Sequence, residues 1–244
     1  MKRSFAFALV LACNLGAPLA ARADEPLSNG SLSFAERRHT LALLELGIIA
    51  LPGAPISTSQ IGGDTPFGRI GSGDATVQTG IHVLFRVARD WVFGAGFLFG
   101  PKPTSDSEYG GLANLQRTHS RSYVSFGGEF RYVPLHSRYF EAWVGGGLGV
   151  IIIADRFGTE AGDRLPGFFG DHNVTLRTEG LSTGIQLGVD WIISDHFVAG
   201  FTFRANHWFL PTTPTCSPIG DCTTLTGSAN SIEFGLTVGY RIPL

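Results

Sequence analysis

Little of this chain is charged. Asp, Glu, Lys and Arg make up 16% of its 244 residues, against about a quarter in ordinary soluble domains. There is no basic excess either. The 18 Lys and Arg face 20 Asp and Glu, which excludes nucleic acid as a partner, because phosphate binding needs a basic surface. After residue 24 no apolar run reaches the about 20 residues of a transmembrane helix. A chain lacking such runs crosses a bilayer only as a closed barrel. Cysteine is scarce, three in all. Two of them cannot make a zinc site on their own, since zinc takes four ligands.

The start of the chain reads as a leader. Lys2 and Arg3 precede an apolar run from Phe5 to Leu15, and Ala21-Arg22-Ala23 is a small-x-small cleavage site. Residues 1–23 are therefore expected to be a cleaved secretory signal peptide. A lipoprotein acylated at Cys13 is a weaker reading, because the apolar run before that cysteine is very short. Cleavage after Ala23 removes Lys2, Arg3 and Arg22, leaving 15 basic residues against 20 acidic ones, a net charge near −5. It also removes Cys13. Cys216 and Cys222 remain, an even pair in an oxidising compartment, and a disulfide is expected between them.

What the chain does have is alternation. Ile232, Phe234, Leu236, Val238, Tyr240 and Ile242 are apolar, and small or polar residues separate them. Period two with two unlike faces is a β-strand between unlike media. Eight such segments run roughly over Thr40–Leu51, Ala75–Val87, Trp91–Gly100, Ser120–Val133, Tyr139–Ala154, Arg177–Ile193, Phe197–Leu210 and Ser231–Ile242. Their connections alternate between three tight turns and four long stretches rich in Gly, Pro, Ser, Thr and Asp. The fold class predicted is all-β, an eight-stranded antiparallel up-and-down transmembrane β-barrel over residues 39–244. Residues 24–38 would form a periplasmic N-terminal tail, with short turns in the periplasm and long loops outside.

Bulk and charge assign the faces. One parity carries Phe85, Trp91, Phe93, Phe97, Phe126, Phe130, Tyr132, Trp191, Phe201, Phe203, Phe234 and Tyr240; the other carries ten glycines. An eight-stranded barrel has room inside only for its own side chains, so the rings must look out. A soluble lipocalin-like barrel would have the opposite arrangement. Glu45, Arg86, Glu129, Arg131, Glu141, Asp190, Arg204, Glu233 and Arg241 share the glycine parity. They are predicted to form a lumen charge network, with Arg131 opposite Glu141 about His136, and Gln186 opposite Arg204 about Asp195. Rings near the short turns form one interfacial belt, and Phe99, Trp208 and Phe209 a sparser second one.

On these features the chain resembles the small outer-membrane barrels of the OmpA, OmpX and OmpW kind, over most of residues 39–244. The resemblance implies location in the cell outer membrane of a Gram-negative host and insertion by the barrel-assembly machinery. It also implies contact with membrane lipids and lipopolysaccharide, and loops at the cell surface.

Apparent catalytic motifs are weak. Gly180-Leu181-Ser182-Thr183-Gly184 matches a nucleophile elbow but lies inside a strand with no helix after it. His207 has no serine at a suitable spacing, and His82 reads as a lumen hydrogen-bonder. No catalytic residue, metal or cofactor is expected, and the protein is not read as an enzyme. The expected role is structural or surface-interacting, as a monomer, with a surface ligand held by the loops. Phe67, Tyr109, Phe168 and Phe169 would be offered there, and deletion of much of Asp155–Leu176 would spare folding. The alternatives are a narrow porin-like channel, favoured if the glycine face leaves space, and a lipid-modifying enzyme.

Overall fold

The structure, a computed structural model, describes residues 38–55, 72–101, 107–110, 116–159, 173–218 and 222–243. The signal peptide, most of the N-terminal tail, and Phe67, Phe168 and Phe169 lie outside the described residues. The strands are β1 (His39–Pro55), β2 (Ser72–Ala88), β3 (Trp91–Gly100), β4 (Ser107–Gly110), β5 (Gln116–His136), β6 (Phe140–Thr159), β7 (Val174–Ile192), β8 (Phe197–Phe209) and β9 (Ser228–Pro243). All are antiparallel to their neighbours, in the order β3-β2-β1-β9-β8-β7-β6-β5-β4, and β3 also pairs with β5. That last pairing closes an eight-stranded barrel. The short β4 continues the line of β3 along the upper part of β5, where Ser107 pairs with His119.

Closure pairs the described strands around the barrel, so through the lipid-facing band their backbone N–H and C=O groups are bonded within the wall. The side chains complete an inside-out distribution. Leu44, Leu46, Ile48, Phe97, Phe126, Leu148, Ile185 and Leu236 are exposed, while Glu45, Arg131, Asp155 and Arg241 are buried. A closed antiparallel barrel of eight strands with this apolar exterior is an outer-membrane protein.

Several sequence expectations need correction. Most strands outrun their apolar alternation. Asp74 lies within β2, Asp155 to Thr159 within β6 and Val174 to Leu176 within β7, so a deletion that reaches either end of Asp155–Leu176 would cut strand rather than loop. Trp208 is not a belt residue. It is buried in the lumen, while its neighbour Phe209 is exposed.

The register of the second short turn also differs. The chain turns over Ser137–Tyr139 rather than about His136, with a bulge between Tyr132 and Leu135. Arg131 therefore lies opposite Gly145, and Glu141 opposite His136. A displacement of four residues leaves each face unchanged, because the side-chain period is two. Gln186 and Arg204 do stand opposite one another.

Candidate functional site

The lumen is filled in layers. At the periplasmic end Arg86 Nη2 meets Glu141 Oε2 at 2.6 Å, and Arg241 Nη2 meets the same oxygen at 3.2 Å. Arg131 stacks 4.0 Å over the Trp143 ring, and the indole N–H donates to Asp190 at 3.0 Å. An apolar layer of Leu41, Leu43, Leu84, Val92, Val133, Trp143 and Val198 packs with them.

The middle layer is polar again. Arg204 grips Glu45 with two parallel bonds of 2.6 Å each, a bidentate geometry with strong directional preference. His82 bridges Glu45 at 3.2 Å and Glu129 at 2.8 Å. Gln78 donates to both Glu45 and Glu233 at 3.3 Å, and Asn206 donates to Glu233 at 2.7 Å. All nine lumen charges named from sequence point inward. Arg131 pairs with Glu129 at 3.4 Å rather than with Glu141.

The glycines make room for these groups. A Cβ on Gly235 would overlap the Glu45 carboxylate, one on Gly96 the His82 ring, one on Gly200 the Asp190 carboxylate, and one on Gly188 the Trp143 indole. The glycine face is a set of niches already occupied. Beside His82, Gln186 and Arg204 a cavity of about 70 Å³ remains, enough for a few waters and no continuous column.

A further cluster at the extracellular end did not emerge from the sequence. Arg121 stands opposite Asp155 in the β5–β6 ladder. Its Nε lies 3.2 Å from Asp155 Oδ1 and its Nη1 3.1 Å from Asp74 Oδ2. His119 Nε2 lies 2.7 Å from Asp155, and the Tyr123 hydroxyl donates to Asp74. Arg121 shares the parity of Glu129 and Arg131, which was the available signal. Asp74 and Asp155 were concealed because one ends and the other opens a stretch that reads as loop.

The last long loop closes this end. Its base is zipped where Leu210 N–H donates to Gly227 O and Gly227 N–H to Pro211 O, both at 2.9 Å. Gly227 holds φ at +74°, a left-handed conformation that other residues adopt only with strain. Cys216 and Cys222 are joined by a disulfide, and Thr223 N–H donates to Thr215 O at 2.9 Å. The two residues that follow enter the mouth. Thr224 takes a 2.8 Å bond from Arg121 Nε and gives two to Asp155, from its N–H at 3.1 Å and its hydroxyl at 2.7 Å. Leu225 packs among Ile49, Leu51, Tyr123, Ile151, Ile153 and Trp208.

The catalytic look-alikes dissolve in this geometry. Ser182 is an inward-facing strand residue of β7 and is buried. His207 sits on the outer rim, with Nδ1 2.7 Å from Asn230 Oδ1 and its ring edge-on to Phe209. Among the described residues no group of three or more His, Cys, Asp or Glu could hold a metal ion.

Comparison with solved structures places this architecture among small outer-membrane barrels. Neisserial surface protein A is similar at a TM-score of 0.50 and 12% identity, covering 84% of this chain and 97% of its own. Ail of Yersinia pestis covers 85% and 99% at a TM-score of 0.45 and 12% identity. OprG of Pseudomonas aeruginosa covers 86% and 99% at the same TM-score and identity. At such identities the likeness concerns the fold alone. No protein-family model and no curated protein matches the chain.

Proposed function

We propose that the protein is a closed surface barrel, whose activity resides in its extracellular parts and whose lumen conducts little. The observation that carries this reading is the seating of Thr224 and Leu225 in the mouth, above a lumen already filled with paired side chains. Loops on a rigid scaffold are where binding commonly resides, and here the scaffold is internally cross-linked from end to end. The channel reading drew its support from an empty glycine face, and the glycines instead accommodate Glu45, His82, Asp190 and Trp143. On this reading the barrel is a monomer inserted by the barrel-assembly machinery, surrounded by outer-leaflet lipid and presenting its loops to a surface ligand.

Planar-bilayer recording of the refolded protein tests it. The expected result is no steady single-channel current, with a difference in gel migration between unboiled and boiled samples showing that the barrel has folded. Steady currents that survive substitution of the long loops would establish transport instead.

A further inference from the structure

The seam between the first and last strands opens at its top. β1 and β9 pair from His39 with Pro243 up to Ala50 with Ile232, and no further. Both strands go on, β1 as far as Pro55 and β9 from Ser228. Residues 51–54 and 228–231 would continue the ladder in the same register, and they do not pair. Each strand keeps its other neighbour. Ser228, Ala229, Asn230 and Ser231 pair with Phe209, Trp208, His207 and Asn206 of β8, and Leu51 pairs with Asp74 of β2. Pro52, which has no N–H to offer a neighbour, stands just past the last β1–β9 pair.

The result is a notch with an open sheet edge on either side. It lies above the apolar band, because the outward residues just below it are Ile48 and Phe234, both exposed, and at the notch they give way to Pro52 and Asn230. A cavity of about 550 Å³ occupies it, within the size range of ligand clefts. The described lining is residues 52–54, 224–226 and 228–230 with Ile232, and none of these is charged. Ala54 and Leu225 are buried and form an apolar floor, while Thr226, Ser228 and Asn230 are exposed at its rim. The edges decide what fits. They present backbone N–H and C=O groups at strand spacing, a pattern that another strand matches bond for bond. The β9 edge is held in advance by its ladder to β8 and by the two Leu210–Gly227–Pro211 bonds of 2.9 Å, so a guest strand would meet a template that loses little freedom on binding. A second copy of this chain is a poor guest, since its strands are committed to their own wall.

We infer that this notch takes an extended, uncharged peptide segment of a partner protein, added as a strand beside β9 in the place that β1 leaves. Main-chain bonds to residues 228–231 supply the affinity, over an edge of about 13 Å. Alternate side chains of the guest, small and apolar, point onto Ala54 and Leu225, and the others face water beside Pro52 and Asn230. The inference rests on the reading of a surface barrel that binds through its extracellular parts, and it names the class of ligand.

The test uses the full mature chain refolded in detergent micelles, with hydrogen exchange followed residue by residue by NMR. The probe is an acetylated and amidated heptapeptide of alternating threonine and valine. Its N-methylated form, which cannot donate main-chain bonds, is the control. In the free protein the notch-facing amides among residues 51–54 and 228–231 should exchange fast, unlike the ladder amides below them. With the peptide at ten times its dissociation constant they should slow about tenfold, and the N-methylated peptide should leave them unchanged. Gly53→Trp should fill the notch, because a Cβ at Gly53 meets no atom within 4 Å. That variant should fold, as heat-dependent gel migration reports, and bind the peptide about tenfold or more weakly. Slow notch amides in the free protein, no protection at millimolar peptide, equal protection by the N-methylated form, or full binding by Gly53→Trp would each overturn the assignment. Planar-bilayer recording of the same preparation keeps the two readings apart. Absent protection in a barrel without current overturns the notch alone, and steady current beside intact protection overturns the closed barrel alone.

Discussion

At the extracellular mouth Arg121 leaves no buried nitrogen without an acceptor, whereas at the periplasmic end Arg241 leaves both Nε and Nη1 unpartnered. Arg86 Nε, Arg131 Nε and Asp190 Oδ1 are orphaned in that same lower cluster, while the upper cluster leaves over one carboxylate oxygen, Asp74 Oδ1. Both ends are built from arginine and carboxylate on inward strand positions. The difference is the loop. Thr224 adds a hydroxyl and a backbone N–H to the upper cluster, and Leu225 covers it with hydrocarbon. The lower cluster opens toward tight turns that contribute little. Buried N–H groups without a protein acceptor need water, so the periplasmic end is the wet end and the surface end the dry one. That contrast supports the proposed reading of the barrel as a mount for loops.

The sharpest way to break this comparison is to remove one carboxylate from each end. Asp155→Ala takes from Arg121 and His119 the carboxylate they share and leaves Arg121 to Asp74, and breaking a buried pair this way costs about 3–5 kcal/mol. It also frees Thr224 and thus unseats the loop. Urea unfolding in micelles, followed by tryptophan fluorescence, should show that loss, with Trp208 beside the cluster as reporter. A midpoint within error of wild type would mean that the mouth is already hydrated.

Leu225→Ala should rank second. Truncating a buried leucine costs about 2–5 kcal/mol, and a residue on a loop that can settle inward belongs at the low end of that range. The damage should be local. Hydrogen exchange at the Leu210 and Gly227 amides, which zip the loop base, should quicken while the β5–β6 ladder amides stay protected. Uniform loss of protection would mean that the loop and the barrel open as one unit.

Much of this arrangement could be read from the chain alone, and the failures have physical causes. Face assignment survives because period two is insensitive to where a turn sits, provided the error is even. The Arg131–Glu141 pairing failed because the turn lies at Ser137–Tyr139 and a bulge between Tyr132 and Leu135 precedes it, an extra residue that shifts the register of the strand end beyond it. Trp208 shares the parity of Arg204 and Asn206, and that parity rather than its nearness to a loop sets its face. Thr224 and Leu225 were not legible. Nothing periodic marks a loop segment that folds back into the mouth, and its partners Arg121 and Asp155 are 103 and 69 residues away in sequence.

Glu141→Gln should cost less than the change at Asp155. Glu141 bridges Arg86 and Arg241 at 2.6 and 3.2 Å, and the amide oxygen keeps one hydrogen bond while water takes up the rest. The expected loss is about 1–2 kcal/mol, the net worth of a bond to a charged group where solvent can substitute. Measured beside Asp155→Asn in the same micelles, it should be the smaller of the two. A larger loss would place the dry end at the periplasm and reverse the comparison.

The smallest effect should come from the disulfide. Cys216 and Cys222 are six residues apart, and closing so short a loop contributes about 2 kcal/mol in the chain-entropy account. That contribution applies to the order of the loop rather than to the barrel, because a segment able to open by itself does not report on global unfolding. Replacing both cysteines with serine should therefore leave the unfolding midpoint of the barrel within about 0.5 kcal/mol of wild type. The same variant should raise exchange at the Thr223 and Thr224 amides, which donate to Thr215 and Asp155. A barrel that unfolds much earlier without the disulfide would show that the mouth and the wall are one cooperative unit, and the dry end would then owe its dryness to the covalent link rather than to Thr224 and Leu225.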